Sequence, residues 1–87
     1  MIVAWDEEAW AGYLLLQQEN KQLVIRINKL IKDIKRNGLN GIGKAEPLKG
    51  NLSGWWSTRI DKKNRLVFRI IDDRLEIIQC RAHYEDK

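Results

Sequence analysis

Glu46, Arg59, Arg65, Arg69, Arg81 and His83 are the residues whose types could together move protons and hold a phosphate. Cleaving RNA through its own 2′-hydroxyl needs a base for that proton and an acid for the leaving 5′-oxygen. It also needs positive charge where the pentacoordinate phosphorus gathers negative charge. A carboxylate, an imidazole and a guanidinium supply all three without a metal. The chain has one histidine, His83, and one cysteine, Cys80. That is too few soft ligands for an ordinary zinc site and excludes an internal disulfide. This chemistry calls for neither metal nor cofactor.

Each residue alone has a plainer reading. Arginines on the open face of an antiparallel sheet are more often solvated than ligand-bound. Trp55 or Trp56 is more often core than a platform for a base. A lone histidine near the end of a chain is more often a bystander than a catalyst, and Glu46 beside Pro47 is an ordinary loop carboxylate. Cys80 reads as a small buried hydrophobe. Ser53 and Ser57 lack any nucleophile context. Gly41-Ile42-Gly43-Lys44 lacks the spacing of a phosphate-binding loop.

The elements that must position these residues can be read from pattern. Ile2–Trp5 is a short apolar strand. Asp6 offers an N-cap to a helix with Glu7 and Glu8 in its first turn. Ala9, Trp10, Tyr13, Leu14 and Leu16 form that helix's stripe. Asn20 can cap a second helix, in which Leu23, Val24, Ile27, Leu30, Ile31 and Ile34 recur at helical spacing, with lysine and arginine opposite. Lys35, Arg36 and Gly38 are helix-ending residues. From Gly38 to Gly50 the glycines predict an irregular loop that carries Glu46 and Lys49, and a loop this long in a small domain suggests function. Strands are expected over 54–61, 65–71 and 75–82, joined by turns at Asp61–Asn64 and Asp72-Asp73.

The expected fold is α+β. It is a small, twisted, mainly antiparallel sheet in the order β-α-α-β-β-β, with both N-terminal helices on one face. Alternation along each strand assigns Trp56, Thr58, Ile60, Leu66, Phe68, Ile70, Ile78, Cys80 and Ala82 to the helix-packed side. It leaves Trp55, Ser57, Arg59, Arg65, Val67, Arg69, Ile77, Gln79, Arg81 and His83 on the other. Such an arginine-rich face suits a phosphate backbone, and Trp55 could stack on a base.

At 87 residues the chain fits a single domain, residues 1–87, with a small core whose stability would gain from a tight partner. Sixteen Lys and Arg against 12 Asp and Glu leave a net charge of +4, a mild lean towards polyanions. No apolar run is long enough to span a membrane, and the first residues lack the charged and cleavable features of a leader. The expected location is the cytoplasm.

Three segments together resemble the YoeB/Txe branch of the RelE-type toxins. They are Glu46-Pro47-Leu48-Lys49-Gly50-Asn51-Leu52-Ser53-Gly54-Trp55-Trp56-Ser57-Thr58-Arg59-Ile60, Asn64-Arg65-Leu66-Val67-Phe68, and Cys80-Arg81-Ala82-His83-Tyr84. The resemblance extends to Trp5–Trp10 and Ile27–Asp33, so it covers nearly the whole chain. It implies a RelE-like fold and a toxin of a type II toxin–antitoxin system. That toxin would be an mRNA interferase cutting the message in the ribosomal A site. By position, the resemblance makes Glu46 the general base, His83 the general acid and Arg65 the group that stabilises the phosphorane. Lys49, Arg59 and Tyr84 would position the message, and the open-face reading adds Arg81 and Trp55 to the substrate-binding set. The implied partners are an antitoxin of the YefM/Phd type, the ribosome's small-subunit decoding site and mRNA, with a homodimer left open and no membrane. Glu85-Asp86-Lys87 follow the His-Tyr pair, where chains of this type commonly stop. Two other readings stay open: a non-catalytic RNA- or ribosome-binding module, and a ParE-like toxin directed at gyrase.

Overall fold

Asp6 and Asn20 decide where the helices begin. In a computed structural model, which describes residues 1–41 and 44–81, the Asp6 carboxylate accepts the Glu8 N–H at 3.1 Å. This starts α1, Glu7–Glu19. Asn20 then serves both helices. Its N–H donates to the Leu16 carbonyl at 2.9 Å, closing α1, and its side-chain oxygen accepts the Leu23 N–H at 3.1 Å, opening α2, Lys21–Asn37. Gly38 ends α2 with φ +62°, a conformation that favours glycine.

The expected stripe of α2 is the observed one: Leu23, Val24, Ile27, Leu30 and Ile34 are buried. That of α1 is not. Only Ala9 and Leu16 are buried, while Trp10 and Leu14 join Leu15 at the surface. Apolar residues run all round α1, so the pattern could not rank its faces. Tyr13 and Trp10 instead form an aromatic cluster with Trp5, with ring centroids 4.7–5.7 Å apart.

The sheet has five strands: β1 (Ile2–Trp5), β2 (Glu46–Pro47), β3 (Trp56–Arg59), β4 (Arg65–Ile71) and β5 (Arg74–Gln79). Their order is β1-β5-β4-β3-β2. β1 lies parallel to β5, with Trp5 level with Ile77, and the other pairings are antiparallel. The strand β2 corrects the expectation of an irregular loop. Glu46-Pro47 adds to the edge beside β3, where proline's missing N–H costs no ladder bond. Between β4 and β5 the chain turns on Asp72 and Asp73, whose φ values of +51° and +58° match a tight two-residue hairpin. Between β3 and β4, the Asp61 carboxylate accepts the Lys63 and Asn64 N–H groups at 2.8 and 2.7 Å.

One face of the sheet packs on the helices through Leu66, Phe68, Leu75, Ile77 and Cys80, with Val3, Trp5 and Trp56 against them. Here the strict alternation expected for β5 fails. Val67 pairs with Gln79 and Phe68 with Ile77, so Ile78 is the extra residue of a bulge. Ile77 therefore faces the core, fully buried, and Ile78 does not fill the place expected for it. Cys80 regains the core side beyond the bulge, and its thiol donates to the Ala9 carbonyl at 3.5 Å.

Candidate active site

β2 places Glu46 at the sheet edge directly across from Ser57 on β3. Ser57 in turn lies across from Val67, and Val67 from Gln79. One row thus crosses the open face of four strands. The neighbouring row pairs Arg59 with Arg65. Like charges directly opposite repel, and Arg65 turns diagonally away from Arg59 into the first row. Its Nε–H donates to Ser57 Oγ at 2.6 Å, and its Nη2 donates to Glu46 Oε1 at 3.0 Å. Side-chain exposure is 18% for Arg65 and 71% for Glu46. A guanidinium clamped against the sheet therefore presents a solvated carboxylate beside it.

Arg59 and Lys49 are exposed, Arg59 in the row beside the Glu46–Arg65 pair and Lys49 just beyond β2. Trp55 lies on the expected side, but Arg69 occupies one face of its ring, with the guanidinium carbon 4.4 Å from the ring centroid. Arg69 also donates to Glu76 at 2.6 Å, and Glu76 accepts from Arg74. Hydrogen bonding from Arg69 is the chief reason the Glu76 carboxyl is held below the ordinary glutamate value; desolvation opposes it, and the charges of Arg69 and Arg74 add to the lowering. Arg69 is thus committed both to Trp55 and to Glu76.

Arg81 is a correction. β5 ends at Gln79, so alternation no longer governs residue 81. Its guanidinium sits 3.7 Å from Glu19 at the end of α1, and its aliphatic stem packs beside Gly12. It belongs to the helix side and not to the arginine face. Cys80 is also removed from the chemistry, because burial pushes its thiol up to about 11 despite the nearby Arg81. His83 and Tyr84 lie outside the described residues. Among the described residues, no group of three or more His, Cys, Asp or Glu could hold a metal ion.

Comparison with known proteins decides the family. The description "YoeB-like toxin of bacterial type II toxin-antitoxin system" matches residues 5–84. The chain belongs to the YoeB-like toxins. It is 54% identical over 85 residues to the toxin YoeB of Synechocystis, covering 98% of this chain and 99% of that one. To the toxin YoeB of Escherichia coli K12 it is 51% identical over 84 residues, covering 97% and 100%. A structure of the YoeB/ParE toxin from Agrobacterium tumefaciens superposes with a TM-score of 0.92 at 43% identity, covering 97% of this chain and 100% of that one. The Staphylococcus aureus YoeB-YefM complex contains a chain with a TM-score of 0.89 at 44% identity, covering 97% and 98%. A YoeB dimer from Staphylococcus aureus also superposes with a TM-score of 0.89, at 42% identity.

The sequence singles out Ser57 only as a candidate nucleophile, a role for which it has no context, and not as a partner of Arg65. The signal was the short turn at Asp61–Asn64, which pairs the two strands and brings positions 57 and 65 onto one face within diagonal reach.

Proposed function

We propose that this YoeB-like toxin is a ribosome-dependent endoribonuclease that cuts mRNA in the A site and so stops translation. The observation that carries the reading is the 3.0 Å contact between Glu46 and Arg65 on the open face. On substrate binding, the scissile phosphate competes for the Arg65 guanidinium, and Glu46 is released to act as base. Glu46 takes the proton of the 2′-hydroxyl as that oxygen bonds to phosphorus. The P–O5′ bond breaks with its electron pair on the 5′-oxygen, which His83 protonates. A 2′,3′-cyclic phosphate and a 5′-hydroxyl result, with one proton accepted and one donated. Arg65 offsets the charge that builds on the non-bridging oxygens. Lys49, Arg59 and Tyr84 hold the message.

A net charge of +4 is small for a nuclease that binds free RNA unaided. The ribosome therefore supplies much of the positioning, and naked RNA is a poor substrate. The S. aureus complex supports a YefM-type antitoxin as the partner that silences this chain, and the S. aureus dimer supports self-association. Among the described residues, no helix is long and apolar enough to cross a membrane, and an enzyme of translating ribosomes works in the cytoplasm.

The test maps transcript 5′ ends after brief induction, with His83→Gln and Glu46→Gln as controls. New ends in phase with the reading frame, absent from both variants, are expected. Translation arrest that persists unchanged in both variants would instead mark a non-catalytic ribosome binder. Loss of supercoiling by gyrase, without new RNA ends, would mark a ParE-like target.

A further inference from the structure

Ser57 lies on the face of the sheet away from the helices, yet it is 2% exposed. Its burial is therefore not helix packing. A buried hydroxyl is costly unless bonded, and Ser57 Oγ accepts the Nε–H of Arg65 at 2.6 Å, short for such a bond and strengthened by the donor's charge. We infer that Ser57 is a positioning residue for the phosphate-binding guanidinium: its hydroxyl holds Nε so that the Nη edge of Arg65 is presented beside Glu46. The inference rests on the cleavage reading above and adds the group that aims its cation.

The register explains why such a group is needed. Arg65 stands directly across from Arg59, and an unrestrained arginine has many rotamers, most of them directed to solvent. Glu46 cannot hold it alone, because that carboxylate is largely solvated and, as the base, must let go. Ser57 is the hold that persists when Glu46 turns to the substrate. Preorganisation of this kind acts on the chemical step more than on binding.

The experiment measures ribosome-dependent cleavage by Ser57→Ala, Arg65→Ala and the double variant, with the nitrogen-15 NMR signal of the Arg65 Nε–H followed in parallel. Ser57→Ala should lower kcat about tenfold with little change in KM, the scale of one hydrogen bond to a charged group. It should cost nothing further in the Arg65→Ala background, because there is no guanidinium left to aim. In the unmutated protein the Arg65 Nε–H should exchange with solvent more slowly than that of the exposed Arg36, a readout that needs no variant to fold. Equal exchange at the two arginines, cleavage by Ser57→Ala at the unmutated rate, or the same loss in both backgrounds would each overturn the inference. Unimpaired cleavage by Arg65→Ala would overturn the nuclease assignment of Arg65 itself, a distinct outcome.

Discussion

Glu46 and Arg65, 19 residues apart in sequence, meet at 3.0 Å across the intervening strand β3 with opposite degrees of freedom. The guanidinium is pinned by Ser57 and mostly covered, while the carboxylate is mostly solvated. An ion pair with one partner so exposed contributes only about 0–1 kcal/mol to stability. On the proposed mechanism its value to the protein is chemical. Glu46→Gln should leave the urea midpoint nearly unchanged while cutting cleavage by about 10²–10⁴-fold, the scale of a lost general base. Stability and activity falling together would make the pair a structural tie.

The bulge in β5 makes an opposite pair of expectations. Ile77→Ala empties a fully buried site beside Phe68 and should cost about 2–5 kcal/mol. Ile78→Ala removes a side chain that is only partly buried and should cost less than half as much, on the order of 1 kcal/mol. Denaturant unfolding of the two variants checks this, and equal losses would contradict the bulged register.

Those two isoleucines also mark the limit of what the sequence discloses. The helical spacing of Leu23, Val24, Ile27, Leu30 and Ile34 has one solution, and the structure adopts it. The 65–71 strand and the Asp72-Asp73 turn were equally legible, because the apolar alternation and turn residues agree. In β5, Leu75, Ile77 and Ile78 are all apolar, so alternation alone cannot show where the extra residue falls. Glu46-Pro47 looks like loop because two residues carry no period; only the neighbouring β3 makes them a strand. The Glu46–Arg65 contact follows from that pairing. Its parts were visible as residue types, but the 3.0 Å distance depends on non-local register.

Asp61 should give the turn between β3 and β4 a pH dependence. Burial there raises its carboxyl, but hydrogen bonds from the Lys63 and Asn64 N–H groups and the Asn64 side chain, with the charge of Arg26, bring it below the ordinary aspartate value. A depressed folded value means the unfolded chain binds the proton first, so stability rises with pH across that window. The contribution is complete above the unfolded value, about 3.9, and is lost as pH falls through the lower, folded one. Asp61→Asn should therefore lose less stability than the parent as pH falls below about 4. Parallel loss in the two proteins, followed by urea midpoints, would rule the turn out as a contributor.

Cys80 should be silent to thiol reagents while the protein is folded. With its thiol pushed up to about 11 by burial, only about a thousandth is thiolate at pH 8, and the sulfur is almost fully covered. Modification at pH 8 should track unfolding, slow in buffer and fast in denaturant. A rapid stoichiometric reaction in buffer would show that the contact with Ala9 opens readily.

The antitoxin should stabilise this chain well beyond the stability it has alone. The helix-packed core is small, and Trp10, Leu14 and Leu15 on α1 remain exposed instead of adding to it. A ligand that binds the folded state but not the unfolded one raises stability by mass action, about 4 kcal/mol at a thousand times its Kd. For a domain of this size that corresponds to a rise in Tm on the order of 15–30 °C. Thermal unfolding of the free toxin and of the complex, at matched protein concentration, measures it directly. Equal melting temperatures would mean that the partner binds folded and unfolded chain alike, and silencing would then have to come from covering the Glu46–Arg65 face without any gain in stability.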